Sequence, residues 1–195
     1  MRKTAKILSI IFHPIIFAVL LPFVVMYHNT RSFGEGIEWL GLAAFFIILA
    51  FLVFIFAKPL EILNDIDISD RKLRPFFYTT SLIFALIYFL IAVLRRGIVS
   101  PLGMVSLGIV LGIAVFEIVN YFIKASVHVA VACAFTITVG LLYGNIIFFP
   151  ALIIPIGIIF SRLYLKKHTV SEVIAGGTLG SLVCILTFII ARIIL

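Results

Sequence analysis

The chain has 195 residues, 64% of them hydrophobic and 12% charged, with a mean hydropathy of +1.34. Soluble globular domains carry roughly 25% charged residues, so this composition excludes one; it predicts a single integral-membrane domain over residues 1–195, an all-α bundle of six or seven transmembrane helices with short loops. The formal charge of +7 is no sign of nucleic-acid affinity here, because basic residues of a membrane protein gather at its cytoplasmic surface or around an anionic substrate.

In chain order, Arg2, Lys3 and Lys6 precede an apolar run over residues 7–27. It is too long for a signal peptide and lacks a small-residue cleavage site, so it is expected to remain as a span. His13-Pro14 lies within it, where the proline should kink the helix and His13 reads as a packed residue. A second run, residues 36–57, carries Trp39 near its start, the place of an interfacial aromatic. Residues 58–75 then form the longest polar stretch, with Glu61, Asp65, Asp67 and Asp70 beside Arg71, Lys72 and Arg74. Further spans are expected over residues 76–94 and 101–123. Glu117, Asn120 and Lys124 share one face at the end of the latter, which places Glu117 to partner a basic residue. After a polar break from Lys124 to His128, residues 129–143 and 146–160 form a hairpin about Gly144-Asn145, and a last span starts at His168. Gly176 and Gly180 in it have the spacing of a close helix contact. Cys133 and Cys184 lie in apolar runs without a paired motif and read as packing residues.

Two spans separate the 58–75 stretch from the Lys124–His128 break, and two more separate that break from the stretch opened by Ser161-Arg162. All three therefore belong on one side of the membrane, that of the N-terminus, with the C-terminus opposite. Arg71, Lys72, Arg74, Lys124, Arg162, Lys166, Lys167, Ser126, His128, His168 and Glu172 are expected to converge there. Arginines beside two histidines, without clustered cysteines or paired histidines, suit a tetrahedral oxyanion better than a metal. Guanidinium groups hold phosphate oxygens in bidentate fashion, and a helix start adds backbone donors and a positive dipole end.

Glu172 stands four residues past His168, on the same helix face. A carboxylate accepting from one ring nitrogen fixes the tautomer and leaves the other free as base or nucleophile. Thr169-x-x-Glu172 fits a capping box equally well. Lys166 and Lys167 read as interfacial anchors.

Ser161-Arg162, five residues, His168, three residues, Glu172 resembles the third signature of the type 2 phosphatidic acid phosphatase superfamily, Ser-Arg-x5-His-x3-Asp, which vanadium haloperoxidases share. Glutamate stands in place of the final aspartate. Ser126-Val127-His128 resembles the second signature, Pro-Ser-Gly-His, with Val127 replacing glycine. Arg74-Pro75 matches the end of the first, Lys-x6-Arg-Pro; Asp67 occupies the lysine position, and Arg71 or Lys72 would supply that charge or else pair with Asp67 and Asp70. The resemblance implies His168 as the nucleophile forming a phosphohistidine, Glu172 orienting it, and His128 as the acid on the leaving oxygen. It further implies that Arg74, Arg162 and Ser126 bind the phosphoryl group, with Lys124, Arg71 and Lys72 adding charge. No cofactor or metal is implied. The expected function is a lipid phosphate phosphatase acting on a phosphatidic acid-like lipid, phosphatidylglycerol phosphate or a polyprenyl phosphate or diphosphate.

Two alternatives remain. Asn64-Asp65-Ile66-Asp67-Ile68-Ser69-Asp70 resembles the magnesium-diphosphate motif of intramembrane prenyltransferases, but its spacing is off and no aspartate follows Asp70 to build their second loop. A lipid-phosphate-binding protein without turnover would also fit Val127 and Asp67. The basic N-terminus tips the expected active side to the cytoplasmic face of a bacterial or archaeal plasma membrane.

Overall fold

The computed structural model describes residues 2–57 and 74–194, and within them every regular element is helical. In chain order the helices are α1 (Arg2–Ile11), α2 (Pro14–Thr30), α3 (Phe33–Ala57), α4 (Arg74–Arg96), α5 (Pro101–Phe122), α6 (Val127–Tyr143), α7 (Asn145–Ala151), α8 (Ile153–Tyr164) and α9 (Val170–Ile194).

The protein is a polytopic helical membrane bundle. Helices α3, α4, α5 and α9, and the nearly continuous α7–α8 unit Asn145–Tyr164, are each long and apolar enough to cross a bilayer. Helices α1 and α2 meet at 40° and make a sixth span if taken together. The bend falls at His13-Pro14 because Pro14, at the first helical position, has no N–H to continue the ladder from α1. Helix α6, of 17 residues, is a shorter apolar helix. Each expected apolar run is thus helical, while the number meeting the length of a span is five or six.

Among the described residues α2 packs on α3, α3 on α4, α4 on α5, α5 on α9, α9 on α6, and α6 back on α2, closing a ring of six helices. Helix α8 lies against α6 outside this ring and carries α1 on its flank. In hydrocarbon the hydrophobic effect does not drive helices together; close packing and interhelical hydrogen bonds do. Both are present at one end of the ring. A Cβ on Gly176 would run into the backbone oxygen of Ser126, and one on Gly180 into that of Ala130, so α6 and α9 touch backbone to backbone. Buried Arg74 donates to Asn120 Oδ1 at 3.0 Å, and Asn120 Nδ2 donates to the Tyr78 hydroxyl at 2.7 Å, joining α4 to α5.

The opposite end is held differently. Trp39 is buried within the bundle: its ring meets Tyr88 edge to face, with the Arg95 guanidinium 5.6 Å from its centroid. Arg95 pairs with Glu38, and Arg96 pairs with Glu35 at 2.9 Å, tying the end of α4 to the start of α3.

Candidate functional site

The end of α8, the turn after it and the start of α9 form one continuous support. Leu165 N donates to Ser161 O, Lys166 N to Leu163 O, and Lys167 N to Arg162 O, and Lys166 takes a left-handed φ of 53° to complete the reversal. Helix α1 fixes the other side: Ser161 Oγ donates to Ala5 O at 2.7 Å, and Arg162 Nη1 to Ser9 Oγ at 3.1 Å. Arg162 is thereby only 3% exposed, and it borders the imidazole of His168 electrostatically, as does Lys124.

His168 Nδ1 lies 3.0 Å from Glu172 Oε2, and the His168 side chain is 7% exposed. The same Oε2 accepts from Thr169 N at 3.1 Å, while Thr169 Oγ1 accepts from Glu172 N at 3.4 Å. The capping box and the histidine–carboxylate pair are therefore one structure, and the cap immobilises the carboxylate. An ionised carboxylate only accepts, so Nδ1 carries the proton and Nε2 keeps its lone pair. Burial pushes the His168 pKa below its ordinary value of 6.5 and outweighs the opposing hydrogen bond from Glu172; Arg162 and Lys124 push the same way as burial. Burial and the neighbouring cations thus favour the neutral form of this imidazole.

Ser126 caps α6 and His128 sits in its first turn. Ser126 N donates to Glu172 O at 3.0 Å, which brings the second polar stretch to the third. The Ser126 side chain is fully buried, and its Oγ has no hydrogen-bond partner among the described residues. Val127 begins α6 with a negative φ, so the backbone here makes no demand that only glycine meets.

His128 is buried, and the ring of His13 meets it edge to face with centroids 5.0 Å apart. Sequence reasoning gave His13 no place near the site. The signal was its position before Pro14: as N-cap of α2 it accepts from Ile15 N through Nδ1, which turns its ring out of the helix at the bend.

Arg74 reaches the same end of the bundle from α4. Tyr78, one turn later, packs with Ala125 and Ala130 on either side of Ser126–His128. A cavity of about 90 Å³ lies beside Arg74, Tyr78, Glu117, Asn120 and Tyr121. Glu117 differs from expectation: among the described residues it accepts from Thr79 Oγ1 at 2.8 Å, and Asn120 is the member of its stripe that receives the basic residue. Arg71, Lys72 and the Asp65–Asp67–Asp70 loop lie outside the described residues. Of the remaining expected site residues, His168, Glu172, Arg162, Lys124, Ser126 and His128 form one neighbourhood where α8 ends and α6 and α9 begin, while Arg74 starts α4, whose Tyr78 packs with Ala125 and Ala130. No protein-family model matches this chain, and no curated protein or solved structure is detectably similar to it.

Proposed function

We propose that the protein is a membrane-embedded phosphohydrolase that cleaves the phosphate from a lipid phosphate through a phosphohistidine at His168. The observation that carries this reading is the buried His168 imidazole, held by Glu172 with Nε2 free of that bond, beside Arg162 and Lys124. Phosphoryl transfer asks a protein chiefly for position and for positive charge around the equatorial oxygens.

In the proposed sequence Nε2 of His168 attacks phosphorus and the bond to the lipid oxygen breaks. Protonated His128 gives its proton to that oxygen, and the lipid alcohol leaves. Neutral His128 then takes a proton from water, whose oxygen attacks phosphorus; the P–N bond breaks, releasing phosphate and restoring His168. Glu172 stabilises the positive charge that His168 acquires in the first step. Arg162, Arg74 and the buried Ser126 hydroxyl bind the phosphoryl oxygens. The basic residues Arg2, Lys3 and Lys6 belong to α1, whose Ala5 accepts from Ser161, so they share the site's end and favour a cytoplasmic active face.

The test is phosphate release by purified protein in detergent with a chelator present, over phosphatidic acid, phosphatidylglycerol phosphate and polyprenyl phosphate and diphosphate, beside His168→Ala. Release that disappears in the variant is the expected result. A folded protein that releases phosphate from none of them overturns the proposal.

A further inference from the structure

Between the six helices of the ring lies a partly open cavity of about 510 Å³, within the size range of small-molecule sites. Its wall is almost wholly apolar and draws on all six helices of the ring. Along α6 it extends from Val127, next to His128, to Leu142 in the last turn, a rise of roughly 22 Å at 1.5 Å per residue. That covers most of the ~30 Å hydrocarbon core of a bilayer. Tyr78 lines it at the site end, and Pro101 and Arg192 line it at the far end.

A chamber of this lining offers water too few polar partners to hold it well. At its site end Val127 stands next to His128 and Tyr78 one turn from Arg74, Arg192 is the one charged residue among the described residues that lines the far end, and the length between is hydrocarbon-like. The complementary molecule is an amphiphile with an anionic head and a long apolar chain. From this juxtaposition we infer that the chamber takes up the hydrocarbon chain of the lipid phosphate, drawing it into the centre of the bundle while its head meets His128 and His168. The inference rests on the proposed phosphate site for the head and adds the chain's location. It makes the substrate a long-chain lipid phosphate that is swallowed tail-inward, not one whose tail stays in the surrounding bilayer.

The experiment uses the full chain in nanodiscs with a long-chain alkyl phosphonate bearing a diazirine at the chain end, whose C–P bond the proposed reaction does not cleave. After photolysis, labelled residues are mapped by mass spectrometry. The expected label falls on chamber residues such as Met104, Leu142 and Val183, and is competed by phosphatidic acid or polyprenyl phosphate. Gly112→Leu combined with Ala134→Leu fills the chamber and should lower that label about tenfold. A Cβ at Gly112 meets Val183 at an ordinary 3.9 Å, so the backbone accepts the change. Gly41→Leu, on an exposed helix surface with open space around it, should leave the label unchanged. Label confined to outward residues such as Phe45, Leu90 and Ile118 overturns the inference even if phosphate is released from lipid substrates. Chamber label that competes as expected sustains it even if none is released, in which case the phosphohydrolase reading fails alone.

Discussion

One carboxylate oxygen, Glu172 Oε2, holds both the imidazole of His168, at 3.0 Å, and the backbone N–H of Thr169, at 3.1 Å. Orientation of the proposed nucleophile and initiation of α9 therefore share an atom. Glu172→Gln keeps the side-chain length and an oxygen that can accept from Thr169, but loses the charge that stabilises the imidazolium. The expected loss in phosphate release is ~10²- to 10⁴-fold, the range of an acid–base contribution, with the melting temperature near that of the parent. Glu172→Ala should show the same kinetic loss plus about 1 kcal/mol of destabilisation from the missing cap. Steady-state kinetics and thermal melts of both variants test the separation.

His168 ties stability to pH. Its folded pKa lies below the unfolded value, chiefly through burial, so between the two the unfolded chain binds more protons and stability rises with pH. The contribution is present in full above the ordinary value of 6.5 and is lost as pH falls towards the folded pKa. His168→Asn should flatten this part of a plot of melting temperature against pH. Phosphate release should fall in the same acidic direction, since protonation removes the Nε2 lone pair.

Asn120 is expected to act as a positioning residue. Its Oδ1 accepts from Arg74, while its Nδ2 donates to Tyr78 and to Phe116 O. Asn120→Leu strips a buried guanidinium of an acceptor, a change worth ~1–3 kcal/mol or more. The expected phenotype is a lower melting temperature with a raised KM for lipid phosphate. Asn120→Asp, which retains the acceptor, should recover KM more than Asn120→Leu does.

At the α6–α9 contact, Gly180→Ala drives a methyl into the Ala130 carbonyl, which backbone cannot yield without separating the helices. Overpacking of this kind costs about 1–3 kcal/mol. Because Ser126 N bonds Glu172 O across the same contact, activity should drop along with stability. Gly177→Ala, whose Cβ would meet Val129 and Cys133 side chains at ordinary distances of 3.5 and 3.6 Å, is the matched control and should change little.

The apolar runs of the sequence became helices because hydropathy and the Pro14, Gly144 and Thr169 breaks are local signals. The pairing of His168 with Glu172 was legible in the four-residue spacing, although His168 lies in the turn before α9 and not on the helix, and reaches Glu172 across the cap at Thr169. Helical spacing also put Asn120 on the right face, yet could not say whether Glu117 or Asn120 would meet an arginine, since that depends on the depth and rotation of α4. His13 escaped notice because its neighbour His128 is 115 positions away and only ring closure between α2 and α6 brings them together. Trp39 was read from its position near a helix start, whereas its burial follows from Tyr88 and Arg95 on another helix. The central chamber is a property of six walls and has no signature in any one of them.

The clasp between α1 and α8 also sets an order of events during synthesis. Ser161 and Arg162 find Ala5 and Ser9 at sequence separations of 156 and 153 residues, so α1 waits for its partner until about 150 further residues have been made. The wall of the ring is likewise left open until α9 arrives to join α5 to α6. A nascent chain stopped short of its last two helices therefore carries His13, Arg74 and His128 without a closed bundle or a completed cluster. The cluster is therefore completed only when α8 and α9 pack against the helices before them.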